Sequence, residues 1–434
     1  MGQRLVIENG IVVTMDPDAR VLPGAAVVVD DGRIVAIGAS ATEADRAGAH
    51  VLDAAGCVVL PGLVNCHGHL RPMRALGEDM DVRTWHTTIV DGISDRMDHD
   101  DAYAGAANAY AEMLRNGITT SLAMSIVESG DLEAARDVGI RARIVRHAVT
   151  RAELEDSIAL AEAQQGSEDD RVRLWLGMDG TSFYTDEELA LAGAAMERTG
   201  LPLHTHFCEY RPEPVDRLEQ SGLLRKGLIL AHCVHIDEDG SARLAAAGAS
   251  VAHNVKSNAK FGSGAAPIRR YLAQGIDVGI GTDGPLSTFG CDVLDEMRTA
   301  TMLARVRDRD PRAITVEQAL AMATRMGAAA LGLERDIGSL EVGKKADVVV
   351  LDLDHPRFRP LLVDGEHSNL SSLLVFTATV GDVRDVIVDG RIVVRDRRLR
   401  TLDEHAVMAE CQRRGERLLA AATADPRSPS LHGR

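Results

Sequence analysis

Pro61-Gly62-Leu63-Val64-Asn65-Cys66-His67-Gly68-His69-Leu70 reads as a turn, a short apolar strand, and two histidines that end it. Side chains alternate faces along a strand, so His67 and His69 project to the same side. Two imidazoles so placed have the spacing to share one metal ion. Cys66 between them turns the other way, and packing is its expected role. Taken alone, the stretch also reads as two polar residues at a strand end. Further along, His206 ends another apolar strand, His232 a third and Asp283 a fourth. Ligands gathered from the same ends of successive strands are what a metal-dependent hydrolase built on a barrel needs.

Working outward, residues 61–335 alternate strand and helix patterns eight times. The strands fall at 63–66, 117–123, 141–147, 172–178, 201–206, 227–231, 250–253 and 276–281, with helix patterns between them such as 102–116 and 185–199. Eight such units predict an α/β fold of the (β/α)8 TIM-barrel type. A doubly wound open sheet is the structural alternative, and its Gly-rich dinucleotide fingerprint is missing. Residues 1–60 read as short strands joined by Gly-containing turns, at 5–15, 26–29, 33–37 and 50–60, with a hairpin signal at Asp31-Gly32. The same pattern returns in 336–400. Neither piece is large enough alone, so a small β-sandwich shared by both termini is expected, with the barrel inserted. Residues 401–434 read as an Arg-rich helix followed by a frayed tail at Pro426-Arg427-Ser428-Pro429.

With 434 residues, 45% hydrophobic and 26% charged, the chain has room for one large catalytic domain and a smaller one. A net charge of -17 argues against nucleic acid or an anionic membrane as partner and leaves a small molecule. No apolar run reaches the roughly 18 residues of a membrane span, and the opening residues run straight into a strand pattern, so a cytoplasmic protein is expected. Six scattered cysteines without paired spacing suit reduced thiols.

If His206 joins His67 and His69, a metal has three nitrogen ligands, and Asp283 in Gly281-Thr282-Asp283-Gly284 supplies an oxygen. Such a set leaves a position for water, whose pKa a divalent ion lowers towards about 7. Glu209, just past the third histidine, is placed to take that proton and pass it to a leaving group, and Asp283 is a candidate to share the task. His232 is placed to polarise the substrate or to hydrogen-bond the attacking water. Each residue has a dull explanation singly. Together they lie at the C-terminal ends of different strands, where barrel active sites form.

These motifs in order, with His206-Phe207-Cys208-Glu209, Ala231-His232-Cys233-Val234-His235, Val251-Ala252-His253-Asn254, Ser257-Asn258-Ala259-Lys260 and Gly343-Lys344-Lys345-Ala346-Asp347-Val348-Val349, resemble the amidohydrolase superfamily. The likeness spans nearly the full length. It points to the cytosine-deaminase-like branch, with its S-adenosylhomocysteine/methylthioadenosine deaminases and s-triazine chlorohydrolases. The resemblance implies one divalent metal, usually Zn2+ and sometimes Fe2+, on His67, His69, His206 and Asp283. It implies Glu209 and Asp283 as proton shuttles and His232 as the residue that orients the attack. Strand 172–178 carries no lysine, so a carbamylated-lysine bridge between two metals is not expected. The implied reaction is hydrolysis at an sp2 carbon flanked by ring nitrogens, with release of ammonia, by a homo-oligomer (dimer or tetramer).

The chain departs from the nucleoside deaminases of that branch. Gly177-Met178-Asp179-Gly180-Thr181-Ser182 stands where they show Gly-Pro-His, Ser94 falls near the position of a ribose-binding acid, and Ser287-Thr288-Phe289 replaces a Ser-Asn pair. The expected substrate is therefore a nitrogen heterocycle or a cyclic amidine or guanidine, away from the adenosine type. Candidate contacts are Arg71 and Arg74, to clamp a carboxylate, Trp85, to stack on a ring, and Arg146, His147 and Asp179 at strand ends. His253 and Asn254 are expected to brace the loop after strand seven. A hydrolase with another leaving group, chloride or an amide nitrogen, is the second reading. A non-catalytic binding protein is the third, and the complete ligand set with Glu209 weighs against it.

Overall fold

The computed structural model describes residues 4–38, 40–165, 169–363, 365 and 367–424. Strands β1 (Leu5–Val13), β2 (Val21–Asp30), β3 (Arg33–Gly38), β4 (His50–Asp53) and β5 (Cys57–Pro61) precede the barrel. The barrel strands are β6 (Leu63–Gly68), β7 (Ile118–Ser125), β8 (Arg141–Arg146), β9 (Val172–Gly180), β10 (Leu203–Phe207), β11 (Leu228–His232), β12 (Ser250–His253) and β13 (Val278–Ile280). After it come β14 (Val348–Asp352), β15 (Val383–Val388), β16 (Arg391–Arg395) and β17 (Arg398–Leu399).

The strands of the two termini form one nine-stranded sheet in the order β17-β16-β15-β14-β5-β1-β2-β3, with β4 beside β1. Its halves join where β5 and β14 run antiparallel, Cys57 opposite Asp352 and Pro61 opposite Val348. Ile7, Val27, Val29, Leu52, Val59, Val348 and Val350 pack together as a core of their own, which requires the sheet to curl over its apolar face. The single strand expected at 50–60 is two. The Cys57 amide donates to the Ala54 carbonyl and Gly56 takes φ +75°, a turn that breaks the run, and both pieces pair parallel to β1. The hairpins at Asp31-Gly32 and Asp389-Gly390 have positive φ at both central residues, as a type I′ turn requires.

The eight barrel strands are parallel and in sequence order, each hydrogen-bonded to the next. Every residue of β7 is buried, as a strand covered on both faces must be. The connecting helices start on side-chain caps: Asp98 with Asp101 opens His99–Arg115, and Thr185 with Glu188 opens Asp186–Thr199. The first helix begins three residues before the expected 102 because its cap is Asp98. β13 is shorter than the expected 276–281, and the barrel closes on β6 through a side chain. Asn65 Nδ2 donates to Thr282 Oγ1, and Asn65 Oδ1 accepts the Thr282 amide, both at 2.9 Å. One backbone bridge, Gly68 to Asp283, completes the seam.

At the opposite rim, buried Arg141 at the start of β8 pairs with Asp347 at 2.8 Å and with Asp389, which ties barrel to sheet. Helix Glu404–Ala424 lies on helix His99–Arg115, with Arg414 and Arg417 meeting Asp98, Asp100 and Asp101. The tail 426–429 lies outside the described residues. Among the described residues, no helix is long and apolar enough to cross a membrane.

Candidate metal centre

The strand ends of β6, β10 and β11 and the residue closing the seam converge on one point. His69 Nε2 and His206 Nε2 stand 3.2 Å apart, and Asp283 Oδ1 is 3.6 Å from His67 Nε2 and 3.7 Å from His69 Nε2. The ligand atoms of His67, His206 and His232 form a second compact group that shares two of these imidazoles. Cys66 faces away, its Sγ against the Gly327 carbonyl, as alternation demands.

The backbone is bent to serve this cluster. Cys208, His232, Cys233 and Asp283, all at strand ends, take φ between +51° and +72°. A left-handed non-glycine residue costs on the order of 1–3 kcal/mol, and such residues concentrate at functional sites. The glycines of Gly-Thr-Asp-Gly are required by contact. A Cβ on Gly281 would come within 2.0 Å of Asn254 Oδ1, and one on Gly284 within 2.6 Å of the His69 carbonyl.

Hydrogen bonds set the tautomers. His204 Nδ1 sits 3.0 Å from the Ile229 carbonyl, which only accepts, so that nitrogen carries the proton. Its bare Nε2 then accepts from His67 Nδ1 at 2.7 Å. His67 Nε2 is left with a lone pair, buried and without a hydrogen-bond partner. Burial holds His67 well below the usual imidazole range and lowers His204 to about 3, so both are neutral at pH 7. His232 Nδ1 lies 2.9 Å from Asn258 Oδ1 and 3.8 Å from Glu209 Oε1. Donation to the amide oxygen turns its bare Nε2 towards the cluster. Burial opposes charge on His206, but Asp179, 2.9 Å from its Nδ1, outweighs it and holds this imidazole up at about 9.

The nitrogens of His67, His69 and His206 and an oxygen of Asp283 crowd one largely buried point. Three nitrogens and one oxygen are a donor set that suits zinc and leaves room for water. The orphaned His67 Nε2 is the atom whose burial a metal would explain. The residues therefore fit a divalent ion.

Of the other candidates, Arg71 is buried, and its one hydrogen bond among the described residues runs from Nε to Ser94 Oγ at 3.2 Å. Asp179 is buried beneath His206 and 3.3 Å from His147 Nε2. Arg146 lies 3.6 Å from Glu128. Arg74 binds Glu112 and the Phe289 carbonyl, and Trp85 donates to the Leu76 carbonyl with its ring against Phe261, so the polar atoms of both are engaged by the protein. Sequence reading passed over His204 and Asn258. The first had a signal, because it precedes His206 by the spacing that separates His67 from His69.

The model of the amidohydrolase family matches residues 58–393. A 5-methylthioadenosine/S-adenosylhomocysteine deaminase of Desulforudis audaxviator is 36% identical over 96% of this chain and 99% of its own length. A crystal structure of an adenosine deaminase from Xanthomonas campestris with bound zinc superposes with a TM-score of 0.86 at 28% identity, covering 96% of this chain and 98% of that one. An atrazine chlorohydrolase from Arthrobacter aurescens, complexed with zinc, gives 0.85 at 27% identity, covering 94% and 99%.

Proposed function

The chain belongs to the amidohydrolase family, and on that premise we propose how its residues carry out a metal-dependent hydrolytic deamination. It is a hydrolase of carbon–nitrogen bonds whose substrate is a small heterocyclic molecule. His67, His69, His206 and Asp283 would hold the divalent ion, zinc in our reading. When bound, such an ion brings the pKa of a water molecule towards about 7 and polarises the carbon under attack.

His204 keeps His67 neutral and aimed, and Asp179, 2.9 Å from Nδ1 of His206, fixes the direction of that ring. Glu209 takes a proton from the attacking water and delivers it to the departing nitrogen, so that ammonia leaves neutral. His232 offers its bare Nε2 as acceptor to the water or substrate on the side of the ligand cluster, and Asn258 fixes that tautomer. Asp283 accepts a proton in alternation with Glu209. Arg71 faces an acceptor group of the substrate, a carbonyl or carboxylate, because its Nη atoms make no hydrogen bond to the described residues.

The observation that carries this reading is the orphaned, tautomer-fixed Nε2 of His67 among the other ligand atoms. Glu209→Gln keeps the shape and removes the base. It should retain its zinc and lose turnover by about a hundredfold or more, measured as ammonia release from aminated purines, pyrimidines, pterins, triazines and cyclic guanidines. Unchanged turnover would remove Glu209 from the mechanism. The likeness to a chlorohydrolase makes chloride the rival leaving group, and chloride without ammonia in the same assay would decide for it. A cytoplasmic location and a dimeric or tetrameric assembly belong to the same proposal.

A further inference from the structure

A second group of ligand atoms lies beside the first. His86, His147 and Asp179 bring two imidazole nitrogens and a carboxylate oxygen within 4.8 Å of one another. They come from three separate elements. His147 follows β8, Asp179 belongs to β9, and His86 opens the π-helical turn His86–Val90, a form frequent at functional sites. Backbone bonds fix the first two: the His147 amide donates to Ser125 at 2.7 Å and the Asp179 amide to Ala148 at 2.8 Å. The rings of His86 and His147 lie 6.3 Å apart and only 15° from parallel.

The contact between His147 and Asp179 is incomplete. His147 Nε2 approaches Asp179 Oδ1 to 3.3 Å with the side chain 8% exposed. It still has no aligned hydrogen-bond partner. A buried polar nitrogen left unsatisfied beside a carboxylate calls for an explanation. A cation held by both atoms supplies one, and a separation of 3.3 Å suits two ligands of a tetrahedral zinc with bonds of about 2.0–2.1 Å.

We propose that His86, His147 and Asp179 form a second divalent-cation site, separate from the His67/His69/His206/Asp283 centre and filled at higher metal concentration. Two imidazoles and one carboxylate select a borderline-soft ion such as zinc over calcium or magnesium. The site is the weaker of the two for two reasons. It has three protein ligands, and Asp179 Oδ1 also lies 2.9 Å from His206 Nδ1, so part of that oxygen's charge is committed. His86, a third exposed and 3.4 Å from Asp91, leaves the site open towards solvent.

The test is equilibrium dialysis of the zinc-loaded full chain against increasing zinc chloride, with bound metal counted by atomic emission. The wild type should hold one equivalent tightly and take up a second at concentrations at least tenfold higher. His86→Ala and His147→Ala should each stop at one. His67→Ala should lose the tight equivalent and keep the weak one, which separates this site from the primary assignment. A wild type that saturates at one equivalent overturns the proposal. So does a second equivalent that survives in His86→Ala, which would mark adventitious surface zinc. Should His147→Ala fail to fold by circular dichroism, the more exposed His86→Ala variant alone still decides.

Discussion

His204 never approaches the leaving group, yet the ligand lone pair on His67 depends on it. Its own Nδ1 is committed to the Ile229 carbonyl and its Nε2 receives the His67 proton. Replacing it with phenylalanine keeps the ring volume and removes both bonds, which frees His67 to turn or to change tautomer. Partners of this kind are worth about 10- to 100-fold in metal affinity. His204→Phe should therefore surrender zinc to a competing chelator at 10- to 100-fold lower chelator strength than the wild type, with the fold intact by circular dichroism. The two-residue spacing that marked His67 and His69 marks His204 and His206 equally. Spacing alone does not separate His204 from His206, because their roles depend on the partners that packing brings to each ring.

Helix Val293–Asp308, reached by the chain just past the seam residue Asp283, carries a buried carboxyl, Glu296, whose Oε2 accepts the Lys256 amide at 3.1 Å. Burial raises this acid from the ordinary 4.5 to about 8, and Lys256 reverses only part of the effect. Between pH 4.5 and 8 the unfolded chain has given up that proton while the folded chain keeps it. Stability contributed by this group is thus full below pH 4.5 and is lost as pH rises through 8, at up to about 1.4 kcal/mol per pH unit. Glu296→Gln keeps the acceptor for Lys256 and cannot ionise. The urea midpoint of the variant should fall less steeply between pH 5 and 8 than that of the wild type, and parallel slopes would show that Glu296 ionises normally. The strands and helices themselves were legible. Caps such as Asp98 and Thr185 and turns such as Asp389-Gly390 are local rules. The break at Gly56 was missed because 50–60 is apolar on both sides of the turn.

Barrel and terminal sheet meet across Arg141, which is 1% exposed and bound to Asp347 and Asp389. Those partners lie 206 and 248 residues further along the chain. A buried pair is weak evidence of net stabilisation, but cutting away one member leaves the others uncompensated, at about 3–5 kcal/mol. Arg141→Ala should lower the unfolding free energy by that amount in urea titrations. Its zinc content at saturation should stay at the wild-type value, because Arg141 opens β8 at the rim opposite the ligand cluster.

The amino-acid sequence by itself determined the eight strand–helix units, the joining of both termini in one β-structure, and the residue types at the strand ends, while the single sheet is a finding of the fold. Alternation, capping and turn chemistry act over a few residues and need no partner. The tertiary structure alone decided how the barrel closes, through Asn65 on Thr282, and which nitrogen of each imidazole is bare. It also decided that Arg74 and Trp85 bond within the protein while Asp179 braces His206. Hydrogen-bond partners far apart along the chain are chosen by packing, and no local pattern encodes them.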